Sequence, residues 1–214
     1  EFGGSWLGTA TASGTSSYFV NAGTLSATTG AATTYTVTRT TSYVPKTIYV
    51  LVDGPLDGGT YIIVNRSAVG TGGYAMKANA SSPQGAVAVT VVNPNTTNPY
   101  YNADGTQATI SNSYIDPADL TGLRWNYKSG SNGYLQDVDD IRYYLYASGS
   151  NSSLALSQTP QQWTYTTGNY RLRRGTTGSV YVHFNSSGNR SYTATNSATS
   201  VYFYQAYTVY VAQP

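Results

Sequence analysis

Residues 48–64 read Ile-Tyr-Val-Leu-Val-Asp-Gly-Pro-Leu-Asp-Gly-Gly-Thr-Tyr-Ile-Ile-Val, and this stretch decides the fold class. Its two ends, residues 48–52 and 61–64, are short runs of β-branched and aromatic residues, which favour strands. Because residues 48–52 are apolar on both faces, they predict a strand in the middle of a sheet. The aspartates, glycines and proline between the two runs are turn formers. The whole stretch therefore predicts an antiparallel hairpin.

Similar short runs recur along the chain, separated by Gly, Asn, Asp, Pro and Ser. Alternation predicts further strands at 34–40, 142–147, 179–184 and 201–211, and at Val87, Val89 and Val91. This spacing is typical of an antiparallel β-sandwich, and no linker or fixed-period repeat divides the chain. We therefore expect one sandwich domain over residues 15–214. The one candidate for a helical turn is residues 116–120, where Asp116 would cap and Pro117 would follow.

Charged residues are scarce, at 9% of the chain, whereas ordinary globular domains contain about 25%. Glu1 is the only glutamate, and helix surfaces are usually built from Glu, Lys, Arg and Gln, so the composition argues against helices. A net charge of +2 is too small and too diffuse for nucleic-acid binding. There is no cysteine, and no run approaches the roughly 18 apolar residues of a transmembrane helix. These features predict a secreted protein without a membrane span, held together by packing and backbone ladders.

Residues able to support catalysis or metal binding are few. The lone histidine, His183, shares a predicted strand face with a tyrosine, as surface histidines do. The densest carboxylate cluster, residues 137–140, lacks the EF-hand pattern and is typical of turns or arginine pairs. The basic cluster Arg171, Arg173 and Arg174 suits a solvated face or a subunit contact. We therefore expect a protein that is not an enzyme, with no cofactor and no metal site.

Residues 1–14 differ from the rest of the chain. Phe2, Trp6 and Ala10 recur at even positions, so this strand pattern carries two large aromatic side chains near a chain end, where residues are usually polar. Full burial of each aromatic is worth about 1.5–3 kcal/mol. If the arm is buried in another copy of the protein, it is a donor strand that adds to an open sheet edge. Its anchors would then be Phe2, Trp6, Leu7 and Ala10.

The glycosylation pattern Asn-x-Ser/Thr occurs repeatedly. The acceptors are Asn65, Asn79, Asn95, Asn151, Asn185 and Asn189. All of them lie in or beside predicted turns, where an attached glycan would shield the surface.

The arm Phe2-Gly3-Gly4-Ser5-Trp6-Leu7, these sequons and the Tyr-, Thr- and Ser-rich body together resemble archaeal donor-strand-complemented filament subunits, such as the thread pilin of Sulfolobus. The resemblance covers the whole chain and contains no diagnostic motif. It implies a secreted, N-glycosylated subunit with a pilin- or Ig-like β-sandwich and an extended N-terminal donor strand. Such subunits join head to tail into a linear homopolymer at the cell surface, which would support adhesion or biofilm formation. The partners would be identical subunits and N-linked glycans.

Other interpretations of the same residues stay open. Exposed tyrosines with Trp125 and Trp163 could stack on sugars in a secreted carbohydrate-binding module or adhesin. A viral capsid or spike protein with a jelly-roll fold is a third possibility, although the chain offers no basic arm for a genome. Residues 1–14 could also be the first strand of their own domain, and residues 201–211 could be the donor strand instead.

Overall fold

The computed structural model describes two sets of residues. It describes the backbone alone for residues 8–12, 17–20, 23–26, 33–37 and 66. It describes backbone and side chains for residues 41–65, 72–79, 84–94, 98–131, 133–186 and 190–213.

These residues form eighteen β-strands. They are β1 Gly8–Ala12, β2 Ser17–Val20, β3 Gly23–Ser26, β4 Thr33–Val37, β5 Ser42–Val52, β6 Thr60–Arg66, β7 Gly72–Lys77, β8 Gln84–Thr90, β9 Tyr114–Ile115, β10 Arg124–Lys128, β11 Tyr134–Asp137, β12 Tyr144–Ala147, β13 Ser152–Ser157, β14 Trp163–Thr166, β15 Arg171–Arg174, β16 Tyr181–Asn185, β17 Ser191–Thr195 and β18 Tyr202–Gln213.

The all-β prediction is confirmed over the described ranges, where the only helical element is a 3-10 turn at Thr167–Asn169. No helix in these ranges has the length and apolar character that crossing a bilayer demands. The helical turn expected at residues 116–120 does not form. Asp116 instead accepts hydrogen bonds from Lys46 Nζ and the Tyr100 hydroxyl, so its carboxylate is not available as a cap.

Strands β5 to β18 form one fourteen-stranded antiparallel sheet, whereas β1–β4 and β2–β3 form two separate two-stranded sheets. The large sheet forks twice. One edge of β6 meets both β10 and β7, and one edge of β17 meets both β13 and β8. Because the two branches rejoin, the ladder closes into a ring in the order β6, β7, β8, β17, β13, β12, β11, β10 and back to β6.

Side chains from the ring strands converge in the main hydrophobic core. Its largest members, Trp125 and Trp163, are 0% and 1% exposed. Each indole N–H donates to a main-chain carbonyl, that of Met76 at 3.1 Å and that of Leu145 at 2.9 Å. A buried N–H without an acceptor costs about 1–3 kcal/mol, so these two bonds make full burial of both indoles possible.

A second core lies on the other face of β6. Tyr61 and Ile63 of β6 belong to the main core, whereas Ile62 and Val64 belong to the second one, together with Tyr204 of β18. Period-2 alternation places successive side chains on opposite faces, so a strand that is apolar at every position must be covered on both. β6 is therefore the strand that links the two cores.

The predicted hairpin between β5 and β6 is wrong, although both strands are present. β18 lies between them and pairs with both. The loop over residues 53–59 turns the chain as expected, and a Cβ on Gly59 would overlap the Tyr61 ring, which explains the glycine there. This loop is long enough to part the two strands by about 10 Å, the distance that an intervening strand requires. β18 is apolar on both faces, with Phe203 in the main core and Tyr204 in the second, and it fills that place.

Candidate functional site

The strand with an interrupted edge is β8. On one side it pairs with β7 along its length. On the other side it pairs with β17 at Gln84 and Gly85 only, and just beyond its end Val92 exchanges two hydrogen bonds with Tyr114 of β9, at 2.8 and 3.0 Å. Between these contacts, no strand in the described part of the chain pairs with residues 86–90 on this side. A gap in the ladder therefore lies between β17 and β9.

The direction of the main chain shows which groups face this gap. The carbonyl of Val89 points towards β7, because it lies 3.6 Å from the position of a Cβ on Gly72 of that strand. Successive residues of an antiparallel strand direct their N–H and C=O groups to opposite sides. Ala86, Ala88 and Thr90 therefore direct theirs into the gap. A row of unpaired donors and acceptors at a strand edge is a template for pairing with another chain.

An apolar groove of about 310 Å³ runs beside this gap and is called the edge groove below. One wall is β8 from Val87 to Thr90 with Val92, the other is residues 116–119, and Leu123 completes the lining. Val89 and Leu123 are 8% and 2% exposed and belong to the second hydrophobic core. A strand seated in the edge groove would therefore place alternate side chains onto an existing core.

The far wall of the edge groove is anchored by polar contacts. Asp116 forms an ion pair with Lys46 of β5 and accepts a hydrogen bond from the Tyr100 hydroxyl at 2.8 Å. Burial, and then this bond to Asp116, raises the pKa of Tyr100, so its hydroxyl stays protonated and donates at neutral pH. Asp119 accepts a hydrogen bond from the Thr121 N–H at 2.9 Å, and that bond lowers the pKa of Asp119. These contacts hold the wall apart from β8, so the groove is a built feature of the fold.

β5 also has an edge that the described strands pair only in part, since β9 covers it at Tyr49 and Val50. The N–H of Leu51 faces this edge, because it donates to Ser113 O beside β9 at 2.8 Å. Positions two, four and six residues before Leu51 face the same way, so the nitrogen of Pro45 faces this open edge. Proline has no N–H and is tolerated at such positions, where it blocks further pairing. The β5 edge is thus protected, whereas the β8 edge contains neither proline nor charge.

The residues predicted as donor-strand anchors fall mostly outside the described residues. Phe2, Trp6 and Leu7 lie outside them. Ala10 is the middle residue of β1, where its register partner is Tyr35 of β4. The donor strand therefore stays a prediction.

One predicted glycosylation acceptor is placed differently from expectation. Asn65 lies within β6 rather than beside a turn, because β7 pairs with the end of this strand, with Asn65 opposite Tyr74. Its side-chain amide donates to Ser200 O at 2.9 Å, and its main-chain N–H donates to the Tyr192 hydroxyl at 2.8 Å. The nitrogen that would carry a glycan is thus engaged in the folded chain.

The other acceptors differ in exposure. Asn79 and Asn151 are exposed, and Asn151 lies in a turn with a positive φ of 55°. Asn185, the last residue of β16, is half-buried. Asn95 and Asn189 lie outside the described residues. The exposed pair therefore presents the best accessible acceptors.

The carboxylate cluster is occupied by ion pairs. Asp139 lies 2.6 Å from Arg124 Nη2, and Asp140 lies 2.6 Å from Arg142 Nη2. The hydrogen bond from Arg142 holds the pKa of Asp140 below its usual range, whereas burial raises the pKa of Asp137. Among the residues that the structure describes, no group of three or more His, Cys, Asp or Glu could hold a metal ion.

The remaining singled-out residues are also engaged locally. His183 is half-buried, and its Nδ1 lies 2.8 Å from Ser197 O. Arg171 and Arg173 share a strand face, with a buried leucine between them. Arg174 Nη1 donates to a main-chain carbonyl at 2.9 Å.

The indoles considered for sugar stacking are not accessible. Trp125 and Trp163 are both buried in the main core, because their strands alternate and these positions point inward. The alternative in which these two indoles stack on sugars is therefore wrong.

Comparison with known proteins finds no match to a family model, to a curated protein or to a solved structure.

Proposed function

We propose that this protein is a non-catalytic structural subunit of an extracellular, N-glycosylated filament, assembled head to tail by donor-strand complementation. In this proposal the fold is a pilin- or Ig-like antiparallel sandwich whose edge groove accepts the N-terminal arm of the next subunit. The observation that carries the proposal is the stretch of β8, residues 86–90, which no described strand pairs on one side and which lies beside an apolar groove. The filament would belong to a cell surface and support adhesion or biofilm formation.

The dimensions of donor and acceptor agree. Residues 86–90 of β8 span about 17 Å at 3.4 Å per residue, which is the reach of one short strand. β1, within the arm, has five residues. Pairing of β1 would satisfy the outward N–H and C=O groups of β8. Phe2 and Trp6 precede β1, and each would contribute about 1.5–3 kcal/mol if it were fully buried on the accepting subunit beyond the paired stretch.

The N-terminal arm is a better donor than the C-terminal strand. β18 already pairs with β5 on one edge and with β6 on the other within its own chain. Removing it would open the sheet between the two cores. A contact in which one subunit gives an arm and the next gives a groove is heterologous and does not close, so it generates a linear filament.

The proposed partners are identical subunits and N-linked glycans, without nucleic acid. Exposed Asn79 and Asn151 support glycan attachment at the surface. With 9% charged residues, the chain has few charges to keep subunits apart in water, and glycans would supply part of the hydrophilic surface.

A proline in the gap tests the acceptor. Ala88 directs its N–H into the gap. Ala88→Pro therefore removes an N–H group that the incoming strand would accept from, without breaking a hydrogen bond to β7. The matched control is Ala88→Thr, which keeps the N–H. We expect Ala88→Pro to fold with an unchanged circular dichroism spectrum and to remain monomeric, while Ala88→Thr assembles into filaments visible by negative-stain electron microscopy.

A mixing experiment tests the donor. The chain without residues 1–14 keeps an acceptor but has no donor, and the Ala88→Pro chain keeps a donor but has no acceptor. Each alone should stay monomeric, and an equimolar mixture should give a heterodimer and nothing larger by mass photometry. Filaments of either variant alone would show that this arm and this edge are not the coupling elements.

A further inference from the structure

The same arm segment that would enter the edge groove is already paired within its own chain. β1 and β4 form an antiparallel ladder with Gly8 opposite Val37 and Ala12 opposite Thr33. Among the described strands, β1 and β4 pair only with each other, in a sheet separate from the fourteen-stranded one. The arm is therefore a strand with an intramolecular partner.

The edge groove encloses about 310 Å³, which is less than the volume of a two-stranded ribbon with five residues in each strand. Neighbouring strands lie about 4.8 Å apart, so β1 carrying β4 on its second edge would need roughly 10 Å beside β8. The far wall at residues 116–119 is held in place by the Lys46–Asp116 ion pair and bounds the groove on that side. β1 must therefore leave β4 before it can pair with β8 of another subunit.

The balance of stability favours this exchange. An isolated two-stranded ribbon is at best marginally stable in water, whereas a strand added to β8 extends a large sheet over a packed core. The ladder that is lost and the ladder that is gained are both about five residues long, so the extra burial in the groove decides the direction. Opening of the β1–β4 ladder remains a barrier, so a free subunit would be held back from premature association.

We propose that β4 is an intramolecular cap for the donor strand, and that subunits polymerise by exchange of β1 from their own β4 to the β8 edge of a second copy of this chain. This inference rests on the proposed filament function. It assigns to residues 33–37 the role of keeping the secreted subunit monomeric until an acceptor is met.

The absence of cysteine makes a disulfide lock a clean test. Thr9 is opposite Thr36, and Ala12 is opposite Thr33, so the two pairs occupy different kinds of position in the antiparallel ladder. Because the two pairs are three positions apart, one of them is hydrogen-bonded and the other is not, and their Cα separations of about 5.5 and about 4.5 Å both lie within the range that disulfides span. The test variants are Thr9→Cys with Thr36→Cys and Ala12→Cys with Thr33→Cys. The control is Ser17→Cys with Ser26→Cys, which locks the β2–β3 ladder instead.

Polymerisation is followed by light scattering after oxidation and again after addition of dithiothreitol. We expect the oxidised β1–β4 lock to reduce the polymerisation rate at least tenfold, reduction to restore it, and the β2–β3 lock to have no effect. If the oxidised β1–β4 lock, verified by intact mass, polymerises as fast as its reduced form, the cap is wrong while the filament function stands. If the unmodified protein and the reduced variants fail to polymerise at all, the proposed function itself fails.

Discussion

At the scale of single residues, buried hydroxyl groups connect the strands of this tyrosine-rich chain. Tyr192 of β17 is fully buried, and burial raises the pKa of its hydroxyl, which stays protonated at neutral pH. That hydroxyl donates to Tyr74 O and accepts from the Asn65 N–H at 2.8 Å. This hydroxyl thus joins β17 to β7 and β6 across the ring. Among the described strands, no ladder connects β17 directly to either of them.

Tyr192→Phe should therefore destabilise the fold. The change leaves one N–H and one carbonyl without their partner, and we expect the free energy of unfolding in urea to fall by about 1–3 kcal/mol. Tyr207→Phe is the matched control, because Tyr207 is 46% exposed and its loss should change the free energy by less than about 0.5 kcal/mol. Equal effects of the two substitutions would contradict the assigned bridge.

Exposure also orders the predicted glycosylation acceptors. A transferase acting on the folded chain can reach Asn79 and Asn151, whereas the Asn65 amide donates to Ser200 O inside the sheet. Glycopeptide mass spectrometry of the protein from its source should show high occupancy at Asn79 and Asn151 and low occupancy at Asn65. High occupancy at Asn65 would mean that glycans are attached before β6 pairs with β18.

At the scale of elements, the contrast between two strand edges decides how the chain can associate. The β5 edge presents Pro45, which has no N–H, whereas the β8 edge presents alanines and a threonine that pair freely. Protection of one edge and exposure of the other would direct association to a single site.

Pro45→Thr should remove that protection. The new N–H would face the open edge of β5, and we expect increased side-by-side association in static light scattering, measured on the chain without residues 1–14 so that filament growth does not contribute. The control, Pro55→Thr, changes a proline in the loop before β6 and should leave the scattering unchanged. If the scattering of Pro45→Thr does not rise, a feature other than Pro45 prevents association at the β5 edge.

At the scale of the whole molecule, the fold depends on β18, which lies outside the closed ring and between β5 and β6. β18 pairs with β5 from Ser42 to Val52 and supplies Phe203 and Tyr204 to the two cores. β18 therefore lies at the centre of the fold, between β5 and β6.

Deletion of residues 202–214 should abolish cooperative unfolding, because β5 loses its long ladder and β6 loses one edge. Deletion of residues 1–14, a segment of similar length at the other end, should leave a cooperative thermal transition in circular dichroism. A cooperative transition in the chain that ends at residue 201 would contradict this dependence and would reopen the C-terminal strand as a donor.

Local pattern was sufficient for the strands but not for their neighbours. The alternation of Val87, Val89 and Val91 correctly predicted one face of β8, and all three pack against the second core. The β5–β6 hairpin was wrong, because a turn-forming loop shows that the chain reverses without showing which strand lies beside it. Trp125 and Trp163 are buried in the main core, and the alternation of β10, with Trp125 and Tyr127 on one face, already indicates this for Trp125.

Composition and period-2 alternation by themselves determined that this protein is all-β, because scarce charge and abundant β-branched and tyrosine residues suit pleated, half-buried surfaces. The aromatic arm at Phe2 and Trp6 was likewise visible as a short-range pattern. Only the tertiary structure decided that β18 separates β5 from β6 and that, among the described strands, none pairs with the edge of β8 between β17 and β9. The physical reason is that a strand's faces are encoded in its own residues, whereas its edges are satisfied by main-chain groups that every residue carries, so edge partners depend on how the whole sheet closes.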